Sequence, residues 1–267
     1  MIDYFHYTLT HERMKLELSN STSFYEREIH SYNEILYCEE ACAVLRTENG
    51  QTEIKGNRLF IIPTGKYHLF DVPGGKQFTR LKISIPDDML YGVQVGLFSG
   101  EIVVMHPVEH GVDFLLKRLC ELVKSDGNDA VGHHAYFAIM MLLSELDCLS
   151  KSSEVARGID NDLAVARAVE YINENLSGDL TLNHLSRVLN FSESLLSHKF
   201  RENMGISLHR YILEKRMSVA HQRILAGERP TKIYRECGYG DYSSFYKAYL
   251  RYFSFPPSER ECILSEG

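Results

Sequence analysis

Charge is the first chemical resource this chain distributes unevenly. Between Thr181 and Arg251 stand 12 Lys and Arg against 6 Asp and Glu, a local net charge of +6. Residues 1–159 hold 15 against 22, a net of −7, which equals the net charge of all 267 residues. A basic island behind an acidic half is the footprint of a nucleic-acid-binding module joined to a domain with another task. A basic helix alone is more often a solvated face, so the island needs a scaffold that aims it. The six cysteines (Cys38, Cys42, Cys120, Cys148, Cys237, Cys262) form no CxxC pair. That pattern fits reduced thiols in a cytoplasmic protein rather than a disulfide framework.

The chain that must position these charges is long enough for two domains. Hydrophobic residues at 44% and charged residues at 24% exclude wholesale disorder and low-complexity architectures. The longest apolar run, Ala135 to Leu143, falls far short of the roughly 20 residues of a membrane helix. The opening MIDYFHYTLTHERMKLEL mixes acids and bases and reads as no signal peptide, so no membrane is expected.

The first hundred residues read as strands. EILYC, ACAVLRT, RLFIIP and FTRLKISIP are short apolar runs, punctuated by Glu48-Asn49-Gly50, Pro63-Thr64-Gly65 and Pro73-Gly74-Gly75. Their close spacing suggests an antiparallel sandwich or jelly roll. From Pro107 the period becomes helical: Val108, Val112, Leu115, Leu116, Leu119, Leu122 and Val123 share one face. After Asp126-Gly127-Asn128, Ala135, Ala138, Ile139, Leu142, Leu143 and Leu146 repeat the pattern. This αα-hairpin suits packing against the sheet, a dimer interface, or both. The polar stretch 151–161 reads as a linker, and everything beyond it as helical.

The C-terminal helices have marked ends. Thr181 caps a short helix with Leu182, Leu185 and Leu189 inward, and Asn190-Phe191 makes a tight turn. Ser192 caps the next helix, where Leu196 and Phe200 are core, and Gly205 closes it. This is a helix-turn-helix over 181–204. A long helix from about Leu208 to Ala226 follows, closed by Gly227. The arrangement then recurs over 230–252: Pro230 opens a helix containing Ile233 and Cys237, Gly238-Tyr239-Gly240 turns, and Asp241 caps a helix with Phe245 and Tyr249 inward.

Residues 162–260 resemble the DNA-binding domain of the AraC/XylS family of bacterial transcription regulators. The resemblance is carried by Leu182-x-x-Leu185-Ser186, Ser192-x-x-x-Leu196-Ser197-x-x-Phe200-Arg201, Gly205-Ile206-Ser207, Tyr211, Arg216 and Ala220. In the second half it is carried by Ile233, Cys237-Gly238-Tyr239, Ser244-Phe245 and Pro256-Pro257-Ser258-Glu259. The departures are Tyr234 where the family has Ala, Ser254 for a common Gly, and Arg260-Glu261 for a common Tyr-Arg. A ring at Tyr234 must swing out or repack. By position, the resemblance implies base contacts from Ser194, Ser197, His198, Tyr242, Ser243, Tyr246 and Lys247. It implies phosphate contacts from Lys199, Arg201 and Arg251.

Residues 24–85 resemble the cupin-like sensor domain of the same regulators, through His30, Glu34 and Pro63-Thr64-Gly65-Lys66-Tyr67-His68. The resemblance implies a small effector in the barrel, of the sugar class or a related metabolite, hydrogen-bonded by His30 and His68, with Glu34 supporting the barrel. Metal-binding cupins present His-x-His, a Glu and a further His; here the first His is Glu28, so neither metal nor cofactor is expected.

The expected fold is α+β: a cupin-like barrel (1–106), a helical hairpin for dimerisation (107–150), a linker (151–161) and an AraC-type DNA-binding domain (162–267). The expected function is an effector-responsive, sequence-specific transcription regulator, activator or repressor, cytoplasmic and homodimeric. Its partners would be double-stranded DNA, an effector and RNA polymerase; it would not be an enzyme. Two alternatives stay open: a constitutive DNA-binding dimer, and a metal-dependent cupin enzyme whose helices serve oligomerisation.

Overall fold

The computed structural model describes residues 6–11, 13–20, 29–72, 78–90, 96–125, 129–150, 159–160 and 162–259. Its N-terminal half is one antiparallel sheet. Strands β1 (His6–His11), β2 (Met14–Ser19), β3 (Asn33–Thr47), β4 (Gly50–Ile62), β6 (Thr79–Ile85) and β7 (Val103–Met105) lie in the order β1-β2-β6-β3-β4-β7. β5 (His68–Asp71) pairs with the far half of β3, and β8 (Ile159–Asp160) with the start of β4.

Strand alternation sorts the sheet into two cores. Ile35, Tyr37, Leu59, Ile61, Leu81 and Ile83 face helices α1 (Asp113–Lys124) and α2 (Asp129–Ser150). Leu36, Cys38, Phe60 and Ile62 point to the opposite face, where Phe70 and Phe78 close over them. The runs EILYC and ACAVLRT, expected as separate strands, are one strand with a bulge between Cys38 and Ala41. Glu40 takes φ +52°, and its N–H is held 2.9 Å from Asn57 Oδ1. The bulge shifts parity: Leu36 and Cys38 are interior before it, Ala41, Ala43 and Leu45 after it. It thereby keeps the apolar face inward while the strand bends.

Other expectations shift. β1 and β2 were hidden in the charged N-terminal segment, yet Met14, Leu16 and Leu18 alternate into the core with Lys15 and Glu17 between them. The first helix starts at Asp113, not near Pro107; Val108 is exposed in a turn closed by Gly111 at φ +72°. Within the expected linker, Ile159 and Asp160 pair with Gln51 and Gly50, while 151–158 and 161 lie outside the described residues. The turns Pro73-Gly74-Gly75 and Asp126-Gly127-Asn128, Glu28, Arg260-Glu261 and Cys262 also lie outside them.

Six helices follow: α3 (Leu163–Glu174), α4 (Leu182–Leu189), α5 (Glu193–Met204), α6 (Leu208–Leu225), α7 (Pro230–Ile233) and α8 (Tyr242–Phe253). α6 joins two separate cores. Its first half (Leu208, Tyr211, Ile212) packs with Ile172, Leu196 and Phe200; its second (Met217, Ala220, Ile224) packs with Ile233, Phe245 and Tyr249. α7 ends at Ile233, so Cys237 sits in the following turn rather than in the helix, with its N–H on Ile233 O at 3.0 Å. No helix among the described residues is long and apolar enough to cross a membrane.

Candidate functional site

Two capped helices build one candidate site. The Thr181 hydroxyl accepts from His184 N–H at 3.3 Å to start α4, Asn190 turns at φ +59°, and the Ser192 hydroxyl accepts from Leu195 N–H at 3.2 Å to start α5. Leu196, Phe200 and Met204 anchor α5 inward, which leaves Ser194, Ser197, His198 and Arg201 exposed. In α8, Asp241 Oδ1 accepts from Ser244 N–H at 2.8 Å, and this bond holds the carboxyl below its usual range. Phe245, Tyr249 and Phe253 face inward; Ser243, Lys247 and Arg251 are exposed, and Tyr242 and Tyr246 are half-buried with ring centroids 6.2 Å apart. Lys199 differs from the other cations: it lies 3.3 Å from Glu202 and 3.6 Å from Asp162, and the Glu202 bond raises its pKa.

The Tyr234 ring swings out. It lies edge-on to Tyr242 (6.0 Å, 72°), and Arg235 Nε donates to its hydroxyl at 3.1 Å. Ile233, Phe245 and Tyr249 stay fully buried beside it, so the second unit keeps its core. A groove of about 900 Å³ is lined by residues of both units, among them Ser197, Arg216 and Arg251. Arg216 donates to Leu176 O (3.0 Å) and Gly178 O (2.9 Å) from one unit and stacks over Tyr239 of the other. Gly238 (φ +82°) leaves room for it, because a Cβ there would run into the Arg216 guanidinium.

The second site lies in the sheet domain. His30, Glu34 and His68 are 5%, 3% and 8% exposed. His30 Nε2 is 3.1 Å from Glu34 Oε2, and the two imidazoles meet edge-on at 5.0 Å. Burial raises the Glu34 carboxyl, but the bond and charge of His30 outweigh it and bring the pKa down to about 2. Burial lowers His68 to about 4 against the pull of Glu34. Glu34, expected only as barrel support, therefore completes a buried triad with the two histidines.

That triad sits where sheet and helices meet. His30 O accepts from Gly65 N–H (2.9 Å) and from the Ser218 hydroxyl of α6 (3.3 Å). Lys215 of α6 donates to Gly65 O (3.0 Å) and pairs with the buried Glu48 at 2.6 Å; Tyr211 donates to the same carboxylate at 2.7 Å. Burial and that carboxylate push the Tyr211 hydroxyl well up. Carbonyls left open at the end of α5 are filled from the sheet: Arg46 Nη1 reaches Glu202 O (2.7 Å) and Asn203 O (3.1 Å), and the Tyr67 hydroxyl reaches Met204 O. Ile29 and Tyr67 join the core of the first helical unit. Partners some 150 residues apart leave no local signal, so these contacts were not legible in the sequence.

The helix-turn-helix domain family matches residues 185–260. A probable transcriptional regulator, LumQ of Photobacterium leiognathi, is 32% identical over 95 residues, which cover 35% of this chain and 38% of that protein. The lactose operon transcription activator of Staphylococcus xylosus is 26% identical over 150 residues, covering 54% and 53%. The chain thus matches about half or less of the length of these curated relatives. A crystal structure of ToxT from Vibrio cholerae covers 99% of this chain and 98% of its own at 12% identity, with a TM-score of 0.42.

Proposed function

We infer that this chain, whose residues 185–260 form a helix-turn-helix domain resembling that of the AraC/XylS regulators, is a sequence-specific DNA-binding regulator of transcription that responds to a small effector. One observation carries the reading: α5 and α8, each capped and anchored by buried apolar side chains, expose hydroxyls and cations at the two ends of α6. The 18 residues of α6 span about 27 Å. That is close to the roughly 34 Å of one DNA turn, which suits two helices entering successive major grooves. In this reading Ser194, Ser197, His198, Tyr242, Ser243, Tyr246 and Lys247 meet base edges. Lys199, Arg201 and Arg251 meet phosphates, Lys199 exchanging its carboxylate partners for a phosphate.

His30 and His68 bound the effector site, with a sugar as the class the resemblance implies. The effector acts through the His30–Ser218 and Glu48–Lys215 contacts, shifting the population in which the sheet grips α5 and α6. The exposed Phe114, Phe137 and Met141 support dimerisation through the 107–150 hairpin. The division at 106, 150 and 161, a cytoplasmic setting and contact with RNA polymerase belong to the same proposal. That the relatives are transcriptional regulators supports a non-enzymatic role.

Footprinting with single substitutions tests the readout. Ser197→Ala, His198→Ala and Lys247→Ala should each relax preference at one or two base pairs, by about 1–3 kcal/mol for a good bidentate contact. A footprint and base preference unchanged by all three would refute the assignment.

A further inference from the structure

We propose that the rings of Tyr242 and Tyr246, with Tyr242 positioned by Tyr234, read thymine methyl groups in the major groove. The second helical unit then selects its DNA segment by apolar contact, where the first uses hydrogen bonds. The proposal rests on the reading of α8 as a DNA-reading helix and names the base chemistry it selects.

The two units can be compared place by place, because each has a left-handed turn residue before its reading helix, Asn190 (φ +59°) and Gly238 (φ +82°). Four places before these turns stand Ser186 and Tyr234. Ser186 is buried and donates its hydroxyl back to Asn183 O at 2.9 Å. Tyr234 is half-buried, and its ring leans on Tyr242 instead. Counted from the caps Ser192 and Asp241, Glu193 and Ser197 of α5 hold the places of Tyr242 and Tyr246 in α8. Glu193 accepts from Asn183 Nδ2 at 3.0 Å. Small or polar side chains of the first unit thus fill the places that three tyrosines fill in the second.

Those tyrosines form a braced wall. The Tyr242 ring meets Tyr234 edge-on at 6.0 Å, Phe245 at 6.0 Å and Tyr246 at 6.2 Å. Phe245 is fully buried, so it ties the wall to the core. Arg235 Nε donates to the Tyr234 hydroxyl at 3.1 Å, and the guanidinium lies over the Tyr234 ring. Edge-on and tilted pairs of this kind fix ring orientation before any partner arrives. Tyr242 and Tyr246 are only half-buried and keep apolar area for a partner. On the major-groove edges of the four bases, the apolar group is the thymine C5-methyl. The polar groups of the other edges would lose water against a ring without gaining a hydrogen bond. Thymine is therefore the base this wall favours.

The test uses the full chain and the duplex it recovers from genomic DNA, with thymidine replaced by deoxyuridine one contacted segment at a time. Uracil keeps the base pair and lacks only the methyl. Wild-type affinity should fall in one segment, by about fourfold for each contacted methyl, the transfer value of one buried methyl group. Tyr242→Ala/Tyr246→Ala should abolish the difference between thymine and uracil, and Tyr234→Ala should reduce it. Tyr234→Phe and Tyr242→Phe, which keep the rings, should retain it. A Tyr234 that only supports the fold would instead lower affinity equally for both duplexes. Wild-type affinity unchanged by uracil in both segments would overturn the proposal, and this measurement needs no variant to fold. A loss of the same size in Tyr242→Ala/Tyr246→Ala or in Tyr234→Ala would overturn it as well. A specific motif indifferent to the methyls removes this proposal and leaves the regulator standing, while recovery of no specific motif removes both.

Discussion

The Glu48–Lys215 pair gives a quantitative test of whether the sheet holds the DNA-binding helices. The atoms are 2.6 Å apart, and both side chains are nearly buried between β3–β4 and α6. At an effective dielectric of about 20, two unit charges at this distance attract by roughly 6 kcal/mol, and desolvation offsets more than half of it. A net coupling of about 2–3 kcal/mol remains. The single variants should be unequal. Glu48→Gln leaves the Lys215 ammonium buried without its anion and should cost about 3–5 kcal/mol. Lys215→Met leaves Glu48 the Tyr211 hydroxyl at 2.7 Å and should cost less. The assay is urea unfolding of the four members of a double-mutant cycle, followed by far-UV circular dichroism because the chain has no Trp. Additive costs, within about 0.5 kcal/mol, would mean that sheet and α6 do not share this contact in solution.

Three further outcomes follow from the same structure. Arg251→Ala should weaken DNA binding evenly across sequences and reduce the salt slope by about 0.9, whereas Lys247→Ala should alter base preference; measuring affinity at several salt concentrations on two operators separates them. Phe245→Ala should cost about 3–5 kcal/mol by opening a cavity in the second unit, while Tyr234→Ala should cost only about 0.5–1.5 kcal/mol by releasing the Tyr242 ring, both read by chemical denaturation. Burial lowers the folded pKa of His68 from 6.5 to about 4. The folded state then binds fewer protons than the unfolded state, so stability is full above about pH 6.5. It should fall by about 3 kcal/mol as pH drops towards 4, a loss absent in His68→Gln.

How much of this was legible depended on whether the signal was local. Thr181, Ser192 and Asp241 cap their helices as expected, because a cap needs only its own next turn. The inward Leu196, Phe200, Phe245 and Tyr249 followed from helical spacing for the same reason. The bulge at Cys38–Ala41 was read as a break between strands, since a parity shift looks like an interruption in one dimension. β2 was overlooked because Lys15 and Glu17 mask the alternation of Met14, Leu16 and Leu18. The resemblance singles out His30 and His68, but the convergence of Glu34 on them needed the fold. The grip of Arg46, Glu48 and Tyr67 on α5 and α6 joins residues about 140 to 165 positions apart, and no periodicity encodes it.

The most direct test of the central claim is selection of genomic DNA by the purified full chain at two salt concentrations. The account predicts one recovered motif with two contacted segments about one helical turn apart, bound with steep salt dependence and lost in Ser197→Ala/Lys247→Ala. Diffuse binding without a motif, unchanged by that double substitution with or without added sugars, would contradict it.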